Sequence, residues 1–248
     1  MSDWINQVMF AAPVWALPIN PAFLPRRALW RAMAEAAPQV HGRLLDVGCG
    51  SQPYRVLFSG VSEYIGLELD NPDNRATKQA DLYYDGCTFP VTDETVDTVL
   101  CNQVLEHVFN PEQFLSEIHR VLSPSGTLLL TVPFLWPEHE QPYDCLRYTS
   151  FGLKSRLEQA GFEIARQSKL TRGGGALCAL AADRLNTRLR LLPLPLRLAV
   201  RALVIAPISL VGWLLDAAST ADTELYLDNF VICRKMVSAS DPIGGHLS

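Results

Sequence analysis

Short apolar runs alternating with stretches of helical spacing set the pattern of this chain. Leu44-Leu45-Asp46-Val47 reads as a buried strand, and Tyr64-Ile65-Gly66-Leu67-Glu68 as a second that ends in an acid. Phe89-Pro90 leads into a third, Val96 to Cys101, and Thr127 to Val132 is fully apolar, as a central parallel strand is. Phe162 to Lys169 and Tyr226 to Cys233 complete the strands. The clearest helix is Pro111 to Leu122, with Phe114, Ile118 and Leu122 at four-residue spacing and Pro124-Ser125-Gly126 ending it. Helices are also expected from Pro25 to about Ala37, from Pro53 after a glycine turn, and from Thr149 to Ala160. This alternation predicts an α/β fold, a parallel sheet with helices on both faces.

The first strand runs into Asp46-Val47-Gly48-Cys49-Gly50-Ser51-Gln52-Pro53, an acid followed by a glycine turn. Parallel α/β folds bind adenosine-containing cofactors at such a turn, because glycine lets a ligand approach the backbone closely. A dinucleotide site needs a third glycine three residues after the second, where a pyrophosphate sits on the helix terminus. That position is Pro53, and the Asp46 carboxylate repels phosphate. A nicotinamide-dependent oxidoreductase or epimerase fails on these two residues. A cationic ligand without phosphate suits the carboxylate; S-adenosylmethionine, with an α-ammonium and a sulfonium, is such a ligand. Glu68 stands about twenty residues beyond the turn, where an acid takes both ribose hydroxyls, with Asp70 as the alternative in a longer strand. Asp81 is placed to accept from an adenine amino group while Leu82 packs on the ring. Asn102 and Gln103 follow the third strand at its carboxyl end, facing the crevice where such sheets bind ligands.

LLDVGCG, YIGLELD, the Ala80-Asp81-Leu82 to Phe89-Pro90 stretch, VDTVLCNQVLEHV and FLSEIHRVLSPSGTLLLTVPF together resemble the class I S-adenosylmethionine-dependent methyltransferases. The resemblance is closest to the large, type 11-like subgroup that methylates small molecules. It covers residues 40 to 165 and returns in the last strand. It implies a Rossmann-like, doubly wound sheet, mostly parallel with an antiparallel last strand, and S-adenosyl-L-methionine as cofactor. It also implies Asp46, Gly48 and Gly50 at the methionine part, Glu68 at the ribose, and Asp81 with Leu82 at the adenine. Cys49 and Leu69 belong to the same implied cofactor site, and Asn102 and Gln103 lie beside the methyl group.

With 248 residues, 48% of them apolar, one domain with a full-sized core is expected. The domain is read as 41–237, preceded by an arm and cap helix over 1–40 and followed by a disordered tail, 238–248. The arm is not a signal peptide, since Asp3 stands where a positive charge is needed and Pro13 and Pro18 interrupt the apolar run. The cap helix is either part of a lid over the crevice or a packing arm. A net charge of −5 and the absence of an Asn-Pro-Pro-aromatic pattern after the third strand disfavour a nucleic-acid partner. Six cysteines without any C-x-x-C pair read as reduced residues of a cytoplasmic protein.

Two regions exceed a minimal domain of this kind. Pro133 to Thr149 leaves the carboxyl end of a central strand, so it hangs over the methyl-acceptor site. His139 is the candidate general base, since an oxygen acceptor must lose its proton and a group titrating near neutrality removes it best. Trp136, His107, Asp144 and Arg147 are candidate substrate-binding residues; Asp144 and Arg147 otherwise form a loop-fixing ion pair. The run His139-x-x-Pro142-x-Asp144-x-x-Arg147-Tyr148-Thr149 resembles methyltransferases of bacterial surface-glycan and secondary-metabolite pathways. Relatives that bind a divalent metal use Glu-x-x-Glu-His, but Gln103 replaces the first Glu ahead of Glu106 and His107, so no metal is expected.

The second region is an apolar helical insertion over 171–220. Within it, 186–215 interleaves Arg188, Arg190, Arg197 and Arg201 with leucines. It reads as a membrane-surface segment at the inner face of a membrane, a lid over a greasy acceptor, or a homodimer interface. All three favour an apolar or lipid-linked acceptor, methylated at oxygen. A non-catalytic scaffold that keeps the cofactor pocket is the alternative.

Overall fold

A computed structural model describes residues 7–78, 80–220 and 224–236. The tail expected to be disordered lies outside them. Seven strands form one sheet: β1 (Arg43–Val47), β2 (Glu63–Leu69), β3 (Leu82–Tyr84), β4 (Val96–Asn102), β5 (Leu122–Pro133), β6 (Phe162–Arg172) and β7 (Tyr226–Lys235). Their order is β3-β2-β1-β4-β5-β7-β6. β1 to β5 pair in parallel, and β7 runs antiparallel between β5 and β6. The expected mostly parallel sheet with an antiparallel last strand is therefore present. Edge strand β3 is additional: it is three residues long, too short to show a period.

Alternation along the strands sends side chains to two cores. From β1, Leu45 and Val47 join Phe114, Leu115 and Ile118 of α3 (Pro111–Val121) and Leu153 and Leu157 of α4 (Ser150–Gln159). Leu44 points to the other face, with Met33 and Ala36 of α1 (Phe23–Ala36), Phe58 and Phe230. Side chains cap these helices where the sequence places them. Asn110 accepts from the N–H of Gln113 ahead of α3, Thr149 from that of Gly152 in α4, and Asn71 from that of Asn74 in α2 (Pro72–Thr77).

The helix expected from Pro53 does not form. Only a single 3-10 turn, Arg55–Leu57, lies between Pro53 and Gly60, and β2 begins at Glu63.

The insertion before β7 is helical: α5 (Gly174–Arg188), α6 (Leu194–Val200) and α7 (Ala206–Ala218), the last two joined through a π-helical stretch, Arg201–Ile205. α7 lies so close to α5 that a Cβ on Gly212 would sit 2.6 Å from Cys178 Cβ. The cap helix holds the insertion in place. Phe23 meets Trp213 edge-on at 6.2 Å, and the Arg27 guanidinium lies 5.0 Å over the same indole. Phe23, Leu24, Ala176, Ala179 and Leu227 make a third core, against which Leu135 and Trp136 of the acceptor loop pack.

Candidate functional site

The strand order reverses between β1 and β4, and in such sheets the crevice beyond the strand carboxyl ends binds ligands. A cavity of about 390 Å³ lies there, lined by Asp46, Gly48, Cys49 and Gly50 after β1 and by Asn102 and Gln103 after β4. Gly48 adopts φ +69°, and a Cβ there would stand 2.4 Å from Val104 Cγ2, so only glycine fits. Gly50 also has positive φ, but nothing lies within 4 Å of where its Cβ would be, which leaves the turn open to a ligand. Gln103 holds φ +57°, unusual outside glycine and of the kind that collects at functional sites. Its N–H bonds the Thr131 carbonyl at 3.1 Å, while Thr131 Oγ1 donates to Asn102 Oδ1 at 2.8 Å.

Three carboxylates surround the glycine turn. Asp46 is buried and accepts from the Tyr64 hydroxyl at 2.5 Å; burial pushes its carboxyl up to about 7, Tyr64 opposes the shift and Glu68 adds to it. Glu68 Oε2 accepts from the N–H of Gly50 at 3.0 Å, and Asp81 Oδ2 from that of Gly66 at 2.7 Å. The Cys49 thiol reports their combined field: burial raises it first, then Asp46, Glu68 and Asp81. Such a negative turn suits a cation and repels phosphate. Glu68, Leu69, Asp81 and Leu82 do not line the cavity itself; Thr77 and Lys78 do, just beyond α2.

The opposite wall belongs to the acceptor loop. Trp136, His139 and Glu140 line the cavity with His107. His139 Nδ1 lies 3.1 Å from Asp144 Oδ2, which also accepts the His139 backbone N–H at 3.0 Å. Nδ1–H donates to the Pro137 carbonyl at 3.3 Å, which leaves Nε2 as the accepting nitrogen. Arg147 grips Asp144 through two nitrogens, at 2.5 and 2.6 Å, and reaches the Trp136 carbonyl. Hydrogen bonds from Arg147 hold the Asp144 carboxyl down at about 2. Of the two readings of Asp144 and Arg147, substrate binding or a loop-fixing ion pair, the pair is the one the geometry shows. Neither lines the cavity, the Asp144 side chain is 2% exposed, and both brace the loop behind His139.

Five residues that local sequence did not point to also line the site. Ala22, Pro25, Arg26 and Leu29 of the cap-helix region line the cavity, so this segment covers the crevice, and Arg26 brings a cation 4.7 Å over the Phe10 ring. Asp228 of β7 also lines it, its carboxyl pushed up to about 7 by burial, against the pull of Gln103, Arg26 and Arg147. An acid inside the apolar run Tyr226–Cys233 was the one available signal. Glu106 is wholly buried, makes no hydrogen bond through either carboxylate oxygen, and is raised to about 8 by burial. Its Oε1 lies 3.8 Å from His107 Nε2, while His107 Nδ1 bonds the Tyr143 carbonyl at 3.2 Å. Glu106, His107 and His139 bring one ligand atom each within 4.8 Å of one another, a geometry able to hold a divalent cation.

Comparison with known proteins agrees with this geometry. Residues 45–130 match the family model of a methyltransferase domain. A probable S-adenosylmethionine-dependent methyltransferase of Mycolicibacterium smegmatis is 29% identical over 144 residues, 53% of this chain and 56% of the relative. An uncharacterized methyltransferase of Mycobacterium tuberculosis is 36% identical over 112 residues, 42% of this chain and 43% of its own length. The chain thus spans about half the length of the curated relatives it matches. Among solved structures, the [4+2]-cyclase SpnF superposes with a TM-score of 0.55 at 22% identity, covering 86% of this chain and 82% of its own. Phosphoethanolamine N-methyltransferase 2 of Haemonchus contortus, in complex with S-adenosyl-L-methionine, gives 0.52 at 17% identity, covering 84% and 52%. These two likenesses concern the fold.

Proposed function

We propose that this chain is a class I S-adenosylmethionine-dependent methyltransferase, and that it methylates an oxygen of a small, apolar or lipid-linked acceptor in the cytoplasm. Secondary-metabolite or surface-glycan biosynthesis is the setting its acceptor-loop motif resembles. When bound, the cofactor supplies an electrophilic methyl on a sulfonium, leaving S-adenosyl-L-homocysteine. The residues present fit it: an open glycine turn, a negative surround for its cationic groups, and a cation for its α-carboxylate. Asp46, Gly48, Cys49 and Gly50 would hold the methionine part with Asn102 and Gln103. Glu68 with Leu69 would take the ribose, and Asp81 with Leu82 the adenine.

Arg26, a cavity-lining cation on the cap helix, is the one that the carboxylate would meet. Arg26→Ala is expected to weaken S-adenosylmethionine binding ten- to about a hundredfold, the scale of a hydrogen bond to a charged group. Calorimetry reads this directly, and unchanged affinity removes Arg26 from the role.

One observation carries the oxygen assignment: an imidazole on the cavity wall whose Nδ1 bonds the Pro137 carbonyl, with the Asp144 carboxylate 3.1 Å away, so that Nε2 accepts. His139 takes the acceptor's proton, Asp144 stabilises the imidazolium, and Arg147 fixes Asp144. Positioning by Trp136, the loop and the cap helix contributes most of the remaining acceleration, since proximity terms supply about 7 to 11 kcal/mol. The test is release of S-adenosyl-L-homocysteine with a panel of hydroxylated apolar acceptors. Release with amine acceptors alone overturns the oxygen assignment. The fold by itself does not dictate methyl transfer, as one of its structural neighbours is a cyclase. Cofactor binding without turnover on any acceptor makes the chain a scaffold.

The Glu106-His107-His139 cluster favours one second reading, in which a divalent cation holds the acceptor oxygen and His139 is a ligand. Dialysis against a chelator separates the two. With His139 as base, turnover persists after metal removal. Loss of turnover that manganese or zinc restores assigns the cluster to a cation instead.

A further inference from the structure

The insertion carries its apolar side chains on the side where a helix packed on a soluble core does not. The residues α7 buries are small: Ala206, Ser209 and Gly212. Its large ones face outward, with Leu210, Val211, Leu214 and Leu215 between 44% and 63% exposed. The same holds upstream, where Leu191 is 92%, Leu203 76%, Leu194 56% and Leu196 50% exposed. Leu194–Ala218 is a helix of 25 residues whose most apolar window has a mean hydropathy of 2.1 and is only 22% buried. Small residues inward and leucines outward is how helices are arranged where the surroundings are hydrocarbon.

Charge indicates what covers this face. The whole chain carries −5, yet residues 174–218 hold five arginines against two aspartates. Both acids are engaged, Asp183 with Arg184 at 3.7 Å and Asp216 with the backbone and side chain of Arg172. Among the described residues, Arg188 and Arg190 are exposed and meet no carboxylate, and Arg197 Nε has no partner. A second copy of this chain would set these arginines against one another with no free acid in the segment to receive them. A bilayer with anionic headgroups meets both demands, acyl chains for the leucines and phosphates for the arginines.

We propose that the α5–α7 insertion docks this protein on the surface of an anionic lipid bilayer. Leucines between 191 and 215 enter the interface, and Arg188 and Arg190 contact headgroup phosphates. α7 stays packed on α5 and the cap helix, so the domain rests on the surface. Through the third core the insertion adjoins Trp136, which also lines the catalytic cavity, so an apolar acceptor reaches the site from the membrane side. The docking itself does not depend on the methyl-transfer reading.

The test is co-sedimentation of the full chain with phosphatidylcholine vesicles, with and without phosphatidylglycerol, over a salt series. Binding is expected to the anionic vesicles and to weaken with salt. The double variant R188Q/R190Q is expected to lower partitioning about twenty- to thirtyfold, near fivefold per charge. L191S/L203S, which changes only side chains that touch little of the protein, lowers it at least about tenfold. Calorimetry with S-adenosylmethionine shows that both variants remain folded, and none of these readouts needs turnover. Three results overturn the proposal: no binding to either vesicle, equal salt-insensitive binding to both, or a concentration-dependent dimer that L191S/L203S dissolves while vesicles capture nothing.

Discussion

Replacing His139 with alanine is expected to lower turnover by roughly a hundredfold or more while S-adenosylmethionine affinity stays nearly unchanged. The reasoning is geometric. His139 reaches the cavity from the acceptor loop, and the cofactor assignments rest on the glycine turn and the end of β4 instead, so its removal should spare cofactor binding. What disappears is the nitrogen that takes the acceptor's proton. Asp144→Asn is the informative companion. Its single carbonyl oxygen keeps only part of the contacts to the His139 backbone and Arg147 and cannot stabilise a charged imidazole, so kcat should fall further than acceptor KM rises. A purely structural Asp144 would instead raise KM and lower thermal stability without that split. Unchanged turnover in the alanine variant at saturating acceptor removes His139 from the chemistry.

The ligand-free protein is expected to lose stability as pH rises from 6 to 8, opposite to the usual behaviour of paired carboxylates. Burial raises Asp46 and Asp228 to about 7 and Glu106 to about 8, from ordinary values near 4. The folded state therefore binds more protons than the unfolded chain between those limits. Stability is full below the unfolded values and declines as pH climbs through the folded ones, by about 1.4 kcal/mol per pH unit for each group while it titrates. At about 2–4 °C of melting temperature per kcal/mol for a chain of this size, the fall is measurable by a thermal scan at each pH. Glu106→Gln should flatten the slope and raise the melting temperature at pH 8, since it removes a buried charge with no hydrogen bond. S-adenosylmethionine should protect most at high pH, because its positive charge favours the ionised Asp46, and binding near or below pH 7, where Asp46 still holds its proton, should release protons. A stability curve that rises from pH 6 to 8 sinks the account.

Much of this site was legible because its signals are local. Asp46 through Gly50 lie within five residues, and the turn's two left-handed glycines follow from the spacing alone. Asn102 and Gln103 were placed by their position at a strand's end, which period and length already indicate. Elsewhere local cues left the outcome to the folded chain. Pro53 carries the mark of a first helical turn, yet a 3-10 turn forms instead. Asp144 and Arg147, in a loop rich in polar groups, left two readings open, substrate ligands or an ion pair. Their mutual pairing, visible only once the loop is folded, shows that each satisfies the other.

The sequence alone determined the sheet, its helices and the chemistry of the glycine turn, because apolar period, capping residues and glycine's access to positive φ act over a few positions. Tertiary structure decided which residues share the cavity. Arg26, His107 and Asp228 are as much as 202 positions apart in the chain, and only the closing of the cap helix and of β7 against β5 brings them to one place. It also decided that the insertion buries its small residues and exposes its leucines. Composition states how apolar a helix is, but its neighbours determine which of its faces meets protein and which meets the surroundings.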